Sequence, residues 1–356
     1  MARPGPGNGT LRAFGFEEHG GPERLGYVDL PEPHPGPSEV RVRMRAAAFN
    51  RLDRFTLAGI PGVRVERPHA LGSDGAGTVD QLGDEVSDLR PGASVLLNPG
   101  IWDATCEACR SGDEALCRDY RILGEHTQGT AAPFAVVPRR NVHPLPEGWS
   151  FAQGAAAPLV FLTAWRALAT VARVRPGERV AIVGAGGGVA TAAVQVAKLL
   201  GGEVAVTSRS ASKEDRARRL GADAFLRTDD AHPLDRVLWE WSGKRGADVI
   251  LDSVGAPSLP LALRAVARGG RIVVIGATAG PRVELDVRTL FWRQASIRGS
   301  TMAGRREFDD VLERLRRGEL RPVVDTTFPF DAGKAAFARL DDPELFGKVV
   351  LEGPPV

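Results

Sequence analysis

Cysteine is nearly absent from the chain: three residues in 356, at positions 106, 109 and 117. An odd number crowded into one short stretch excludes a disulfide framework of the secreted type and points to a metal or a reactive thiol. Lysine is scarce as well, occurring only at 198, 213, 244, 334 and 348, so arginine carries the positive charge. With Lys+Arg of 46 against Asp+Glu of 44, the net charge of +2 gives no reason to expect a nucleic-acid partner. The two tyrosines, Tyr27 and Tyr120, lie outside every motif described below, so neither is chosen as a proton donor. No stretch is expected to span a membrane, since none approaches ~18 uncharged apolar residues. The amino terminus, MARPGPGNGT, lacks the apolar core of a secretory signal, which makes the cytoplasm the expected location.

Apolar content of 43% with 25% charged residues is that of a globular protein, and the length calls for two cores. Residues 1–10 are rich in Pro and Gly and are expected to be disordered. From Leu11 to about Arg140, short β-type runs alternate with Gly, Pro and Asp turn signals. After Gly148 the rhythm changes: FAQGAAAPLVFLTAWRALATVARV is apolar at helical spacing until Arg175-Pro176-Gly177. The strands RVAIV, EVAVTS, ADVILDSVG and GRIVVIGA then alternate with the helices VATAAVQVAKLL, KEDRARRLGA and SLPLALRAVAR. Such alternation specifies parallel βαβ units and a doubly wound sheet. Past Gly299 come a helix, REFDDVLERLRRG, and β segments at VVDTTFPF and GKVVLE.

Two clusters carry chemistry. Gly184, Gly186, Gly187 and Gly188 lie between an apolar strand and an amphipathic helix, where glycines let the backbone approach a pyrophosphate seated on free N–H groups. The end of the following strand reads Thr207-Ser208-Arg209-Ser210, with Lys213 close behind. Hydroxyls and cations there, in place of a carboxylate, favour the 2′-phosphate of NADPH over NADH. Within WDATCEACRSGDEALC, Asp103, Cys106, Cys109 and Cys117 offer three thiolates and a carboxylate to one tetrahedral zinc ion. Four protein ligands leave no open position, so this zinc is structural.

Together these pieces resemble the medium-chain dehydrogenase/reductase superfamily, from Leu11 to Glu352, through PLVFLTAW, GAGGGVA, GADVILDSVG, GGRIVVIGA, GSTM and GKVVL. The resemblance implies an α/β fold: a GroES-like, mostly β catalytic domain at 1–157 and 302–356, and a Rossmann cofactor domain at 158–301. It adds cofactor contacts from Val189, Gly276, Ala277, Ser300 and Thr301, and a homodimer or homotetramer paired through sheet edges near RIVVIG and SIRGST. The alcohol dehydrogenase branch holds structural zinc on four cysteines, the first of which is Asp103 here. Its catalytic zinc ligands fall on Asn50, Ser73 and Leu159, none of them a good ligand, and Leu52 replaces the proton-relay hydroxyl. What remains resembles the quinone oxidoreductase and enone reductase branch, although Phe55 stands where that branch often has tyrosine.

The implied chemistry is hydride transfer from NADPH to a quinone or an α,β-unsaturated carbonyl, with water supplying the proton. Asn50 and Thr163 would lie beside the nicotinamide. Asp53 is expected to fix the Asn50 loop, Ser73 and Asp74 to serve a turn, and His126 to hydrogen-bond within its loop. Alcohol or aldehyde interconversion and non-catalytic NADPH binding remain open as alternatives.

Overall fold

The computed structural model describes residues 9–354 and divides into two compact units. The first eight of the residues expected to be disordered lie outside this range. Gly9 and Thr10 do not behave as expected: Thr10 opens the strand Thr10–Phe16, and the Gly9 carbonyl accepts a bond from the Glu32 N–H.

The first unit takes in residues up to Leu159, then Pro322–Asp342 and Lys348–Val356. Its main sheet has seven strands, and the central one, Glu39–Phe49, pairs antiparallel with Asp74–Leu82, Lys348–Glu352 and Phe134–Pro138. In EVRVRMRAAAF, Val40, Val42 and Met44 alternate into the core, and the closing Ala-Ala-Ala-Phe is buried on both faces. The helix Phe151–Ala156 packs against this strand. The register sets Phe49 against Val349 and Ala48 against Asp74. The next residue on the central strand, Asn50, therefore lies at one sheet end with Lys348 and Asp74. A two-stranded ribbon, Gly100–Ile101 with Arg121–Ile122, closes the base of the excursion that carries the cysteines.

The second unit comprises Val160–Arg321 and Pro343–Gly347. Its strands are β1 (Arg179–Ile182), β2 (Glu203–Ser208), β3 (Ala224–Arg227), β4 (Ala247–Asp252), β5 (Val266–Val274) and β6 (Ser296–Gly299). All pairings are parallel, in the order β3-β2-β1-β4-β5-β6. Val180, Ala181, Val204, Ala205, Val206, Val249 and Ile250 are fully buried, as a sheet covered on both faces demands. Order reverses between β1 and β4, and the loops leaving their carboxyl ends form the crevice in which such sheets bind ligands.

Three features depart from the sequence reading. The domain boundary expected at 301/302 falls at Arg321, because Phe308, Val311, Leu312 and Leu315 of the helix Arg305–Arg316 are buried and Glu307 of that helix bonds Arg166 (2.9 Å) and Thr170. The other boundary lies at 159/160 instead of 157/158, and Pro343–Gly347 returns to the Rossmann unit. The helix expected over SLPLALRAVAR stops at Ala265, since Val266 joins β5 and pairs with Ala247. Finally, the run Phe151–Val171 does have the length and apolar character of a membrane span, but 83% of its apolar 18-residue stretch is buried within the protein, as in a core helix.

Candidate active site and metal centre

At the end of the β-rich unit, four polar side chains form a network closed to solvent. Asn50 precedes the helix Arg51–Ala58, and its N–H donates to Asp53 Oδ2 at 2.6 Å. Asp53 Oδ1 accepts from the Gly72 N–H at 2.7 Å, which ties the helix start to the loop before Asp74. Asp74 Oδ2 accepts from Asn50 Nδ2 at 2.9 Å and from Lys348 Nζ at 2.7 Å, while Asp74 Oδ1 accepts from the Leu159 N–H at 2.8 Å. Lys348 Nζ also donates to Asn50 Oδ1. The ion pair is deeply buried, with side-chain exposures of 3% for Lys348 and 0% for Asp74.

Burial pushes the Asp53 carboxyl up to about 6, against the pull of its two backbone N–H bonds. Glu125 is pushed up to about 7, first by burial and then by the charge of Asp53. Its Oε2 has no hydrogen-bond partner, nor has the buried hydroxyl of Ser73. His126 Nδ1 accepts from the Ile122 N–H at 3.2 Å and serves its own loop.

On the cysteine excursion, one ligand atom from each of Asp103, Cys106, Cys109 and Cys117 lies within 4.8 Å of the others. Ligand sulfurs around a tetrahedral zinc with ~2.3 Å bonds would be ~3.8 Å apart, so the four donors are nearly preset for that ion. Asp103 Oδ1 accepts N–H bonds from Thr105 (2.7 Å) and Cys106 (2.9 Å), which hold its carboxyl well below the usual range. Burial, and then the neighbouring Asp103 and Cys106, push the Cys109 thiol up. A cluster of competing acceptors of this kind is relieved by a cation.

In the Rossmann unit, Gly184 has φ +95° and its N–H donates to Thr207 Oγ1 at 3.1 Å, so the second strand fixes the start of the loop. A Cβ on Gly186 would lie 2.2 Å from the Leu345 carbonyl oxygen and 2.5 Å from Lys213 Nζ, whereas one on Gly187 would meet nothing within 4 Å. The loop is thus packed on one side and open at the start of the helix Gly188–Leu199. Ser300, at the carboxyl end of β6, buries a hydroxyl that has no partner. An open helix start, a cation folded onto the loop and an orphan hydroxyl on the ligand side of the sheet fit a dinucleotide.

Residues 36–147 match the alcohol dehydrogenase GroES-like domain, and residues 188–317 match the zinc-binding dehydrogenase domain. The quinone oxidoreductase of Mus musculus is 30% identical over 94% of this chain and 95% of its own length. The chain belongs to the medium-chain dehydrogenase/reductase superfamily. Among solved structures, an NAD-dependent alcohol dehydrogenase is 42% identical with a TM-score of 0.91, covering 96% of this chain and 99% of its own. The 2-octenoyl-CoA carboxylase reductase CinF, solved with NADP and 2-octenoyl-CoA, is 26% identical with a TM-score of 0.88, covering 98% and 88%. The protein is accordingly an NAD(P)H-dependent oxidoreductase.

Within this superfamily fold, the structure gathers Asp103, Cys106, Cys109 and Cys117 into one cluster, and Gly184, Gly186, Gly187, Gly188 and Val189 at one helix start. Ser208 is buried at the end of β2, Arg209 beyond it is exposed, and Lys213 is folded onto the glycine loop. Gly276 and Ala277 follow β5, while Ser300 and Thr301 follow β6. Thr163 is buried on the helix Pro158–Trp165.

Asn50 is no isolated side chain: both ends of its amide are engaged by Asp74 and Lys348, so it positions the network. Asp74 is no turn residue either: it opens a strand and anchors Lys348. Lys348 and Glu125 escaped the sequence reading. The available signal for Lys348 was a lone lysine, one of five in the chain, opening the apolar strand KVVLE.

Replacing Lys348 by Met leaves Asp74 as a buried unpaired charge and is expected to destabilise the protein by ~3–5 kcal/mol. The double variant Lys348→Met/Asp74→Asn should recover much of the lost melting temperature, which thermal denaturation of the three proteins checks. A second expectation concerns pH. The folded-state value of Glu125 exceeds its ordinary 4.5, so the native state binds the extra proton and stability falls as pH rises through the window up to about 7. Glu125→Gln should therefore melt above the wild type at pH 8 by a few degrees and show a much smaller difference at pH 4. Equal differences at the two pH values would mean that Glu125 ionises without penalty.

Proposed function

We propose that this protein is a cytoplasmic, NADPH-dependent reductase of quinones or α,β-unsaturated carbonyls that works without a catalytic zinc. The observation that carries this reading is the network around Asn50. At the positions where the alcohol dehydrogenase branch binds its catalytic metal, Asn50 has its oxygen occupied by the Lys348 ammonium, Ser73 offers a neutral hydroxyl, and Leu159 has no donor atom. Without a metal, polarising an alcohol for oxidation at neutral pH is difficult, whereas reducing an activated double bond needs only donors for the oxygen that gains charge.

The cofactor supplies a hydride from its nicotinamide ring. The chain's own contribution is to hold the pyrophosphate on the N–H groups after Gly187 and to orient the ring, with the Ser300 hydroxyl available as a contact. Thr163 is the hydroxyl assigned to the acceptor carbonyl, Asn50 keeps its own loop in place, and water returns the proton. The likeness to quinone oxidoreductase and to a reductase solved with an enoyl thioester supports the acceptor class. A second reading, alcohol or aldehyde interconversion, is favoured by the 42% identity to an NAD-dependent alcohol dehydrogenase.

Oxidation of NADPH at 340 nm with a small quinone, a cyclic enone and an aldehyde separates the two. Turnover of the quinone or enone, undiminished after chelation of accessible metal, is the expected result. Aldehyde turnover abolished by chelation would establish the second reading in its place, and tight NADPH binding without turnover of any acceptor would indicate a binding protein.

Two structural proposals accompany this. One zinc ion is held by Asp103, Cys106, Cys109 and Cys117 and fastens the lobe without taking part in the reaction. Elemental analysis of the purified protein should find about one zinc per chain. Cys106→Ser should lower that content together with the melting temperature, while the kcat of the remaining folded protein changes little. The second proposal is a homodimer, or a pair of them, joined through β6, which ends the Rossmann sheet. On the helix Val287–Arg293 that precedes β6, Val287, Phe291 and Trp292 expose 65%, 60% and 63% of their surface, apolar groups of the kind that mark an interface. Trp292→Glu should shift the sedimentation coefficient to that of a single chain.

A further inference from the structure

The loop from which the sequence assigns Ser208, Arg209 and Lys213 to a 2′-phosphate already holds an anion belonging to the chain itself, on its hydroxyls Ser210 and Ser212. Pro343–Gly347 packs onto the glycine loop: the Gly347 N–H donates to the Gly186 carbonyl at 2.9 Å, and the Leu345 carbonyl sits where a Gly186 side chain would be. This places Glu344 over the loop that follows β2. Ser210 Oγ donates to Glu344 Oε1 at 2.7 Å, and Ser212 Oγ donates to Glu344 Oε2. The two hydroxyls are themselves 2.9 Å apart, and Ser208 Oγ braces the turn by accepting the Ser210 N–H at 3.1 Å.

Two cations act on this carboxylate, Lys213 and Arg216. Arg216 Nη2 reaches the Glu344 carbonyl at 3.4 Å while its guanidinium stacks on the Phe346 ring, 4.7 Å from the centroid. Together with the two serine bonds, the charges of Lys213 and Arg216 lower the Glu344 carboxyl below its usual range. Two hydroxyl donors on a two-oxygen acceptor, with two cations near enough to act on its charge, form surroundings that also suit a phosphate monoester.

We propose that Glu344 occupies the 2′-phosphate seat of the free enzyme and is the residue that sets its choice of cofactor. A 2′-phosphate carries about −1.5 to −2 charge and needs the hydroxyls that Glu344 holds, so NADPH binds only by displacing the carboxylate. NADH has no group for that seat and leaves Glu344 where it is. The inference rests on the nucleotide-binding reading of the glycine loop and goes beyond it, since the discriminating residue comes from a segment more than a hundred residues downstream of β2.

The test is a fluorescence titration of the full-length protein with NADPH and with NADH, for the wild type, Glu344→Gln and Glu344→Asp. Glu344 is exposed, so neither substitution removes core packing, and melting curves verify that each variant is folded. Glu344→Gln should tighten NADPH by about tenfold or more, the differential worth of one or two charge-assisted bonds, and leave NADH within about twofold. Glu344→Asp, which keeps the charge, should stay closer to the wild type than Glu344→Gln does. An unchanged ratio of NADPH to NADH affinity in Glu344→Gln, or equal tightening of both, overturns the proposal alone. Failure of the folded wild type to bind either dinucleotide overturns the nucleotide reading and the proposal with it.

Discussion

Lys348 places an ammonium inside a β-sheet, at a cost the fold tolerates only because Asp74 is there to meet it. Removing both charges from water is expensive, and mutual attraction offsets the cost only when every remaining donor and acceptor is satisfied. Here both Asp74 oxygens are used, one by Lys348 and Asn50 and the other by the Leu159 N–H. The central strand, the strand opened by Asp74, and the strand opened by Lys348 must therefore end at one level. Asn50 links that pair to the helix Arg51–Ala58, and Asp53 links the helix to the Gly72 turn. The same pair also engages both ends of the Asn50 amide.

The two chemical centres apart from this network follow a common logic: each is a concentration of like groups that calls for a partner of opposite character. On the cysteine excursion, the Asp103 carboxylate and three thiols crowd within ligand distance, and the field they create favours a cation. At the loop after β2, hydroxyls and cations gather, and the field there favours an anion. The chain supplies one of its own in Glu344. The first cluster is compact in sequence and was recognisable from spacing alone. The second joins residues 208–216 to residue 344, a pairing that appears only when the chain returns to the glycine loop.

The fold class was legible because its signals are local. Short apolar strands, glycines at strand-to-helix turns and amphipathic helices specify βαβ units whatever their surroundings, and the six parallel strands follow. The cysteine cluster and the glycine loop were legible for the same reason. The domain boundary was not: whether the helix Arg305–Arg316 packs on one unit or the other depends on where Phe308 and Leu312 are buried, and on the Glu307 contacts with Arg166 and Thr170. The strand at Val266 was hidden for a comparable reason, since AVAR continues a helical pattern until pairing with Ala247 overrides it.

The sequence by itself determined the architecture, the donor types of the cysteine cluster and the basic, hydroxyl-rich loop after β2, because each is written in residues near one another along the chain. The tertiary structure decided how those residues are used. It made Asn50 a joint, Asp74 and Lys348 a buried pair, left Glu125 without a partner for one oxygen, and set Glu344 on the serine hydroxyls. Hydrogen bonds and charges act over a few ångströms of space irrespective of distance along the chain, so these four outcomes are fixed only once strands and loops remote in sequence have been brought together.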